Sequence, residues 1–282
     1  MIRIATDSSA DFPEGWVEAY DINILPINIT HNGVSYLQGV NIDNDLFYQL
    51  VYEDHTIPKT SLPSPQQIMN FYRRIGEQGD TIFSIHVSSK LSGTVNAVEE
   101  AARGLEGEFN VIPVDSLSGS AMMAFMCKEV RLMERAGASI QEILDRLEHI
   151  RKTLFIVFTV DNLEFARLSG RVNSLQATLS SVLQIKPMIQ LKDGLLYATE
   201  RVRTRRYSLD RILELVRQRM GNRKINLAVV HARDPETGRS LLERAMNMFN
   251  CCDVFLAELS ISVAAHLGPR TIGIVAYPVE ER

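Results

Sequence analysis

Cysteine is scarce in this chain: among 282 residues there are three, Cys127, Cys251 and Cys252, and two of them are adjacent. Neither a disulfide framework nor a spaced metal site is built that way, so the thiols read as those of a reduced, cytoplasmic protein. Long apolar runs are missing as well. No stretch of about 18 apolar residues occurs, which leaves no integral membrane segment to expect. The opening MIRIATDSSAD passes from a short apolar run into polar residues without the apolar core of a signal peptide. Positive charge is not in excess either. Lys+Arg number 30 against 34 Asp+Glu, a formal net charge of -4, so nothing in the balance attracts nucleic acid or an anionic membrane, and no nucleic-acid partner is expected.

Familiar catalytic signatures are also absent. The chain has no HExxH pair, no GxSxG elbow, no Gly-Lys dipeptide of a Walker A loop and no GxG of a dinucleotide fingerprint. No ATP site of either kind, no metal and no cofactor are therefore expected.

Present instead is the composition of an ordinary globular protein, 45% hydrophobic and 23% charged, on a chain long enough for two lobes. Apolar β-leaning runs at 2–5, 22–29, 81–87 and 111–114 alternate with helical patterns, which predicts a mostly parallel sheet with covering helices. After Pro65, the spacing of Ile68, Phe71, Tyr72 and Ile75 gives one apolar helix face. A second helical block, 118–152, breaks at Gly137-Ala138-Ser139, where Gly137 can close one helix and Ser139 cap the next. We place the lobe boundary just after this block, giving 1–152 and 153–282. In the second lobe, strands at 154–160, 185–191, 225–230, 254–259 and 271–276 are interspersed with helices at 161–168, 209–220 and 235–249. Lys192-Asp193-Gly194 turns one strand into a hairpin. The fold class is α/β throughout, with a mixed sheet in the second lobe.

Three strands of the first lobe run into hydroxyl-rich loops, TDSS, SSKLSGT and DSLSGS, and TSLPSP at 60–65 repeats the chemistry. In open α/β sheets such loops sit at the carboxyl edge, where ligands bind. A single Ser or Thr there is accounted for equally by a helix N-cap. Taken together, the loops suit an acceptor such as a carboxylate or phosphate, with Thr60 and Ser92 donating and Gly93 letting backbone approach. An enzyme acting on a small anionic metabolite, with Ser92 as nucleophile, is the alternative. Arg201, Arg203, Arg205 and Arg206 form a cluster that is either a solvated strand end or a docking surface for an acidic partner. His231 and His266, each beside apolar residues, read by default as structural.

These segments resemble the DegV family, bacterial fatty-acid-binding proteins that act as the acyl-carrying subunit of a fatty acid kinase. The likeness rests on TDSSAD at 6–11, TSLPSP at 60–65, SSKLSGT at 88–94, DSLSGS at 115–120, LEFARLSGR at 163–171, KPMI at 186–189 and HLGPRTIGI at 266–274. The resemblance implies that Thr60 and Ser92 hold the carboxylate of one long-chain fatty acid, the tail lying in a tunnel between the lobes. It further implies that Ser61, Gly93, Arg171 and His266 lie near the carboxylate or support its phosphorylation. The kinase would be a separate ATP-dependent protein, leaving this chain a carrier without catalysis of its own. Three departures stand out: Ser169-Gly170-Arg171 where Gly-Gly-Arg is usual, Arg270 where the family has Gly, and Leu62 where a polar residue is common.

Overall fold

The computed structural model describes residues 1–54, 56–161, 163–169 and 185–280. They divide into two compact units, the first comprising Met1–Arg151 with Ser260–Ser262, the second Lys152–Leu259 with the residues from Val263 onward.

In chain order the first unit runs β1 (Ile2–Asp7), α1 (Trp16–Ala19), β2 (Ile22–Leu25), β3 (Asn28–His31), β4 (Val34–Leu37), α2 (Asn44–Asp54), β5 (Lys59–Ser61), α3 (Pro65–Ile75), β6 (Thr81–His86), α4 (Thr94–Arg103), β7 (Asn110–Asp115), α5 (Ala121–Arg135) and α6 (Ile140–Thr153). Its main sheet has the order β2-β1-β6-β7, and every neighbouring pair is parallel. A parallel sheet has to be covered on both faces. Ile68, Phe71 and Tyr72 of α3 and Val98 and Ala101 of α4 pack with Ala5 and Ile82 in one core cluster. Helix α5 lies against β1 and β6 and is buried throughout its first two turns, from Ala121 to Lys128. The two helix boundaries read from sequence are built as expected. Ser64 and Gln67 cap α3 reciprocally, and Ser139 accepts from the Glu142 N–H at 3.3 Å while its own N–H donates to the Glu142 carboxylate.

One expected strand divides. The apolar run 22–29 is cut at Pro26, which can donate no ladder hydrogen bond. Its first half is β2 of the parallel sheet. The second half is β3, the centre of a separate antiparallel sheet β4-β3-β5, closed by a tight turn with positive φ at both Asn32 and Gly33. Thr60 and Ser61 thus lie on β5, not in a loop, with Thr60 opposite Ile29.

The second unit comprises β8 (Phe155–Thr159), α7 (Glu164–Leu168), β9 (Lys186–Lys192), β10 (Leu195–Val202), α8 (Arg205–Met220), β11 (Ile225–His231), α9 (Pro235–Met248), β12 (Cys251–Glu258), α10 (Ile261–Leu267, its first two residues in the first unit) and β13 (Ile272–Pro278). The sheet order is β10-β9-β8-β13-β11-β12, and the β11–β12 pair alone is parallel, which makes the sheet mixed. Ile212 and Val216 of α8 and Leu241 and Ala245 of α9 fill a core with Val157, Leu227, Val229 and Ile274. Helix α8 starts four residues earlier than its apolar pattern, because the Thr204 hydroxyl accepts the Tyr207 N–H at 3.2 Å and fixes the cap at that point.

Gly268 is fixed by contact as well as conformation. It has φ +79°, and a Cβ there would lie 2.7 Å from the Phe165 ring of α7. Gly268→Ala is therefore expected to lose about 1–3 kcal/mol, from left-handed backbone strain with the clash added. A lowered urea midpoint is the readout; an unchanged midpoint would contradict this packing.

Candidate functional site

The carboxyl edge of the parallel sheet is organised by Asp7, the last residue of β1 and fully buried. Its Oδ1 accepts the Ser9 N–H at 3.0 Å and the Ser9 hydroxyl; its Oδ2 accepts the Val87 N–H at 3.1 Å and His86 Nδ1 at 2.9 Å. Burial by itself would raise the Asp7 pKa, but the bonds from His86 and Ser9 outweigh it and hold the carboxyl below its ordinary range. This one side chain ties the loop after β1 to the end of β6.

An Asp-His-Ser series results, since His86 Nε2 lies 2.7 Å from the Ser84 hydroxyl and that hydroxyl 2.6 Å from the Tyr72 hydroxyl. The carboxylate only accepts, so Nδ1 carries a proton toward Asp7, and the Ser84 hydroxyl links Nε2 to the Tyr72 hydroxyl. Burial pushes the Tyr72 phenol up, which keeps that hydroxyl protonated. The geometry is that of a triad, but Asp7, Tyr72, Ser84 and His86 are all inaccessible to solvent. No substrate reaches Ser84, and the imidazole has no free edge to offer Ser92. The series is a structural lock.

Most hydroxyls of the four segments are taken up by the fold. Ser8 accepts the Ile27 N–H, Ser64 caps α3, Ser89 donates to Asp115 at 2.5 Å and Ser120 donates to Asp11. The chain segment Ser260–Ser262 joins the same network: the Ser260 N–H donates to Asp11 at 2.8 Å, and the Ser262 N–H to Gln38, whose amide donates to the Ser8 carbonyl. Ser92 and Thr60 are both half-buried, and the Ser92 Oγ accepts the Thr94 N–H at 3.4 Å. Ser92 sits just before α4, its Oγ 2.8 Å from Thr94 Oγ1. Leu62, one residue beyond β5, leans over Gly93, where a Cβ would come within 3.2 Å of its Cδ2. Leu62 and Gly93 are thus close neighbours, which places the residue following β5 beside the turn before α4.

Sequence reading missed Ser118. Its hydroxyl is buried with no hydrogen-bond partner among the described residues, while its carbonyl accepts the Ser88 N–H at 2.8 Å and so joins the DSLSGS and SSKLSGT loops. Nothing in the string DSLSGS distinguishes this serine from Ser116 or Ser120.

In the second unit, Arg171 and Gly170 lie outside the described residues, so the Arg171 expectation has no geometry to meet. His266 is half-buried on the last turn of α10. Arg270 has φ +60°, the left-handed region that the family's glycine enters freely. It is held there by its N–H on the Ala232 carbonyl at 2.7 Å and by Arg205, which donates to its carbonyl. Arg205 is also paired with Asp234 at 2.6 Å, so it belongs to the framework and not to a free basic patch. Arg201, Arg203 and Arg206 are exposed and without an ion pair among the described residues. No group of His, Cys, Asp and Glu among the described residues is arranged to hold a metal, and no described helix is long and apolar enough to cross a membrane.

Comparison with known proteins finds similarity over almost the whole chain. A family model described as "Uncharacterised protein, DegV family" matches residues 1–279. A DegV domain-containing protein of Listeria innocua is 32% identical, the alignment covering 97% of each chain. Among solved structures, one described as showing fatty acid binding by a DegV family protein of Thermus thermophilus superimposes with a TM-score of 0.90 at 30% identity, covering 99% of both chains. A protein of Eubacterium ventriosum described as binding stearic acid also gives 0.90, at 25% identity, covering 99% of this chain and 98% of that one.

The Asp7 lock generates a pH-dependent prediction. A carboxyl whose folded pKa lies below the unfolded value of about 3.9 binds fewer protons when folded. Its stabilisation is complete above that value and is lost as the pH falls through the folded pKa. Asp7→Asn is expected to cost about 3 kcal/mol at pH 7, because the buried donors of Ser9, Val87 and His86 lose the carboxylate that accepts from them. Urea midpoints measured between about pH 3 and 7 should fall with acid less steeply in the variant than in the wild type. Equal stability at pH 7 would contradict the lock.

Proposed function

Since the chain belongs to the DegV family, we propose that it binds one long-chain fatty acid, holds the carboxylate on the Thr60 and Ser92 hydroxyls, and presents it to a separate ATP-dependent kinase for conversion to acyl phosphate. The observation that carries this reading is the fold match at a TM-score of 0.90 to a relative described as binding fatty acid, supported by the contact of Leu62, two residues after Thr60, with Gly93, next to Ser92. Ser61 and the Gly93 backbone flank those donors. His266 and Arg171 are assigned a supporting part in phosphoryl transfer, on the family motif. The protein works as a carrier in the cytoplasm, without a cofactor or catalysis of its own.

Physical chemistry suits a carrier. Burying methylenes at about 0.8 kcal/mol each gives a chain of about 14 of them roughly 11 kcal/mol before ordering costs. Each hydrogen bond to the carboxylate adds about 1.5–3 kcal/mol. Affinity thus comes mainly from the tail, and the hydroxyls set the position of the reacting oxygen. Exposed Arg201, Arg203 and Arg206 offer an acidic partner a place to dock. The enzyme alternative is disfavoured by a specific feature, since His86, the histidine of the triad-like series, is committed on both nitrogens and so offers Ser92 no base.

Two outcomes are expected. Organic extraction of clean protein, followed by mass spectrometry, should release about one long-chain fatty acid per chain; empty protein that takes up neither oleate nor palmitate would overturn the reading. Ser92→Ala should keep most of its bound lipid, because the tail term exceeds the hydroxyl term severalfold. Acyl phosphate formation by a cognate kinase should instead fall about a hundredfold, since displacing the attacking oxygen by about 1 Å is enough for that. Full activity of the loaded variant would remove Ser92 from the presenting role.

A further inference from the structure

The second unit contains a cleft that the fatty acid reading does not use. It has a volume of about 510 Å³ and is lined by His231, Arg233, Pro235, Arg239, Leu256 and Glu258. It lies at the carboxyl ends of β11 and β12, the parallel pair of the sheet, beside the start of α9. Crevices at that edge are the usual ligand sites of α/β sheets. His231 and Glu258 are register partners as the last residues of their strands, so their side chains leave the same face of the sheet.

Three polar groups in the cleft are unused. Arg239, exposed on α9, and Glu258, half-buried on β12, have opposite charges and line one cavity. Neither forms an ion pair or side-chain hydrogen bond among the described residues, with each other or with anything else. His231 is 5% exposed. Its Nδ1 accepts the Asp234 N–H at 3.4 Å, so the proton of the neutral ring is on Nε2, which has no partner among the described residues. Burial lowers the His231 pKa and keeps the ring neutral near pH 7. Asp234, the other nearby carboxylate, is engaged by Arg205.

We propose that this cleft binds a small zwitterion, a molecule carrying a carboxylate or phosphate and, a few bonds away, an ammonium group. The anionic group meets Arg239, Arg233 and the His231 Nε2–H at the positive end of α9, and the ammonium meets Glu258. A simple anion would leave Glu258 repelling it, and a simple amine would leave Arg239 and Arg233 doing the same. Only a ligand with both charges satisfies both walls.

The test follows the His231 ring by NMR in full-length protein labelled on histidine, with His231→Asn assigning the signal. Glutamate, phosphoethanolamine, propionate and ethylamine are the probes. Glutamate or phosphoethanolamine should shift the signal saturably at low millimolar concentration, and whichever binds tighter identifies the anionic group as carboxylate or phosphate. The singly charged probes should bind at least about tenfold more weakly. Arg239→Gln and Glu258→Gln should each weaken the zwitterion about tenfold, while Arg239→Lys, which keeps the charge, should lose only about threefold. Three results would overturn the proposal: no shift with either zwitterion at about 20 mM, single charges binding as well as the zwitterion, or both Gln variants binding like the wild type while keeping the wild-type thermal midpoint.

Discussion

The buried Asp7 carboxylate is the constraint on which the proposed site depends. Charge in an interior is costly unless every lone pair is used, and Asp7 meets that condition with bonds from Ser9, Val87 and His86. Those bonds fix the ends of β1 and β6 relative to each other. The loop after β6 begins at Val87 and reaches Ser92 five residues later, so the position of Ser92 is set from the anchored strand end, through the Ser92 N–H on the Ser88 carbonyl at 3.0 Å. A triad-like series has been turned inward as scaffold.

Local pattern made several elements readable in advance. The three-and-four spacing after Pro65 gave α3, the hydroxyl runs after short apolar strands marked the carboxyl edge, and Asp193-Gly194 forms the expected hairpin turn, both residues having positive φ. What pattern could not reveal was pairing over distance. Asp7 and His86 are 79 positions apart, and neither residue type at its place announces the other. The three-stranded sheet was missed because β3 and β5 are short and join only through tertiary pairing, with Pro26 hidden inside an otherwise continuous apolar run.

The site was legible in part. Two of the expected segments meet where Leu62 lies against Gly93, one residue noted only as a departure from the family and the other only for its small size. Ser118 stayed hidden because an unsatisfied hydroxyl is a property of three-dimensional surroundings. The arginine cluster also separates on structural grounds: Arg205 is drawn into a pair with Asp234, while Arg201, Arg203 and Arg206 remain on the surface. Seven short motifs in order carried the family resemblance, whereas the roles of their residues follow from burial and partners.

The most direct measurement of the central claim is the carbon-13 NMR signal of the carboxyl group of labelled oleate, loaded on the wild-type chain and on Thr60→Ala, Ser92→Ala and Ser120→Ala. The account predicts one protein-bound carboxyl resonance that moves in the Thr60 and Ser92 variants, which remove its hydrogen-bond donors, and stays in place in the Ser120 variant, whose hydroxyl is engaged by Asp11. A bound resonance indifferent to both Thr60 and Ser92, or no bound resonance at all, would contradict it.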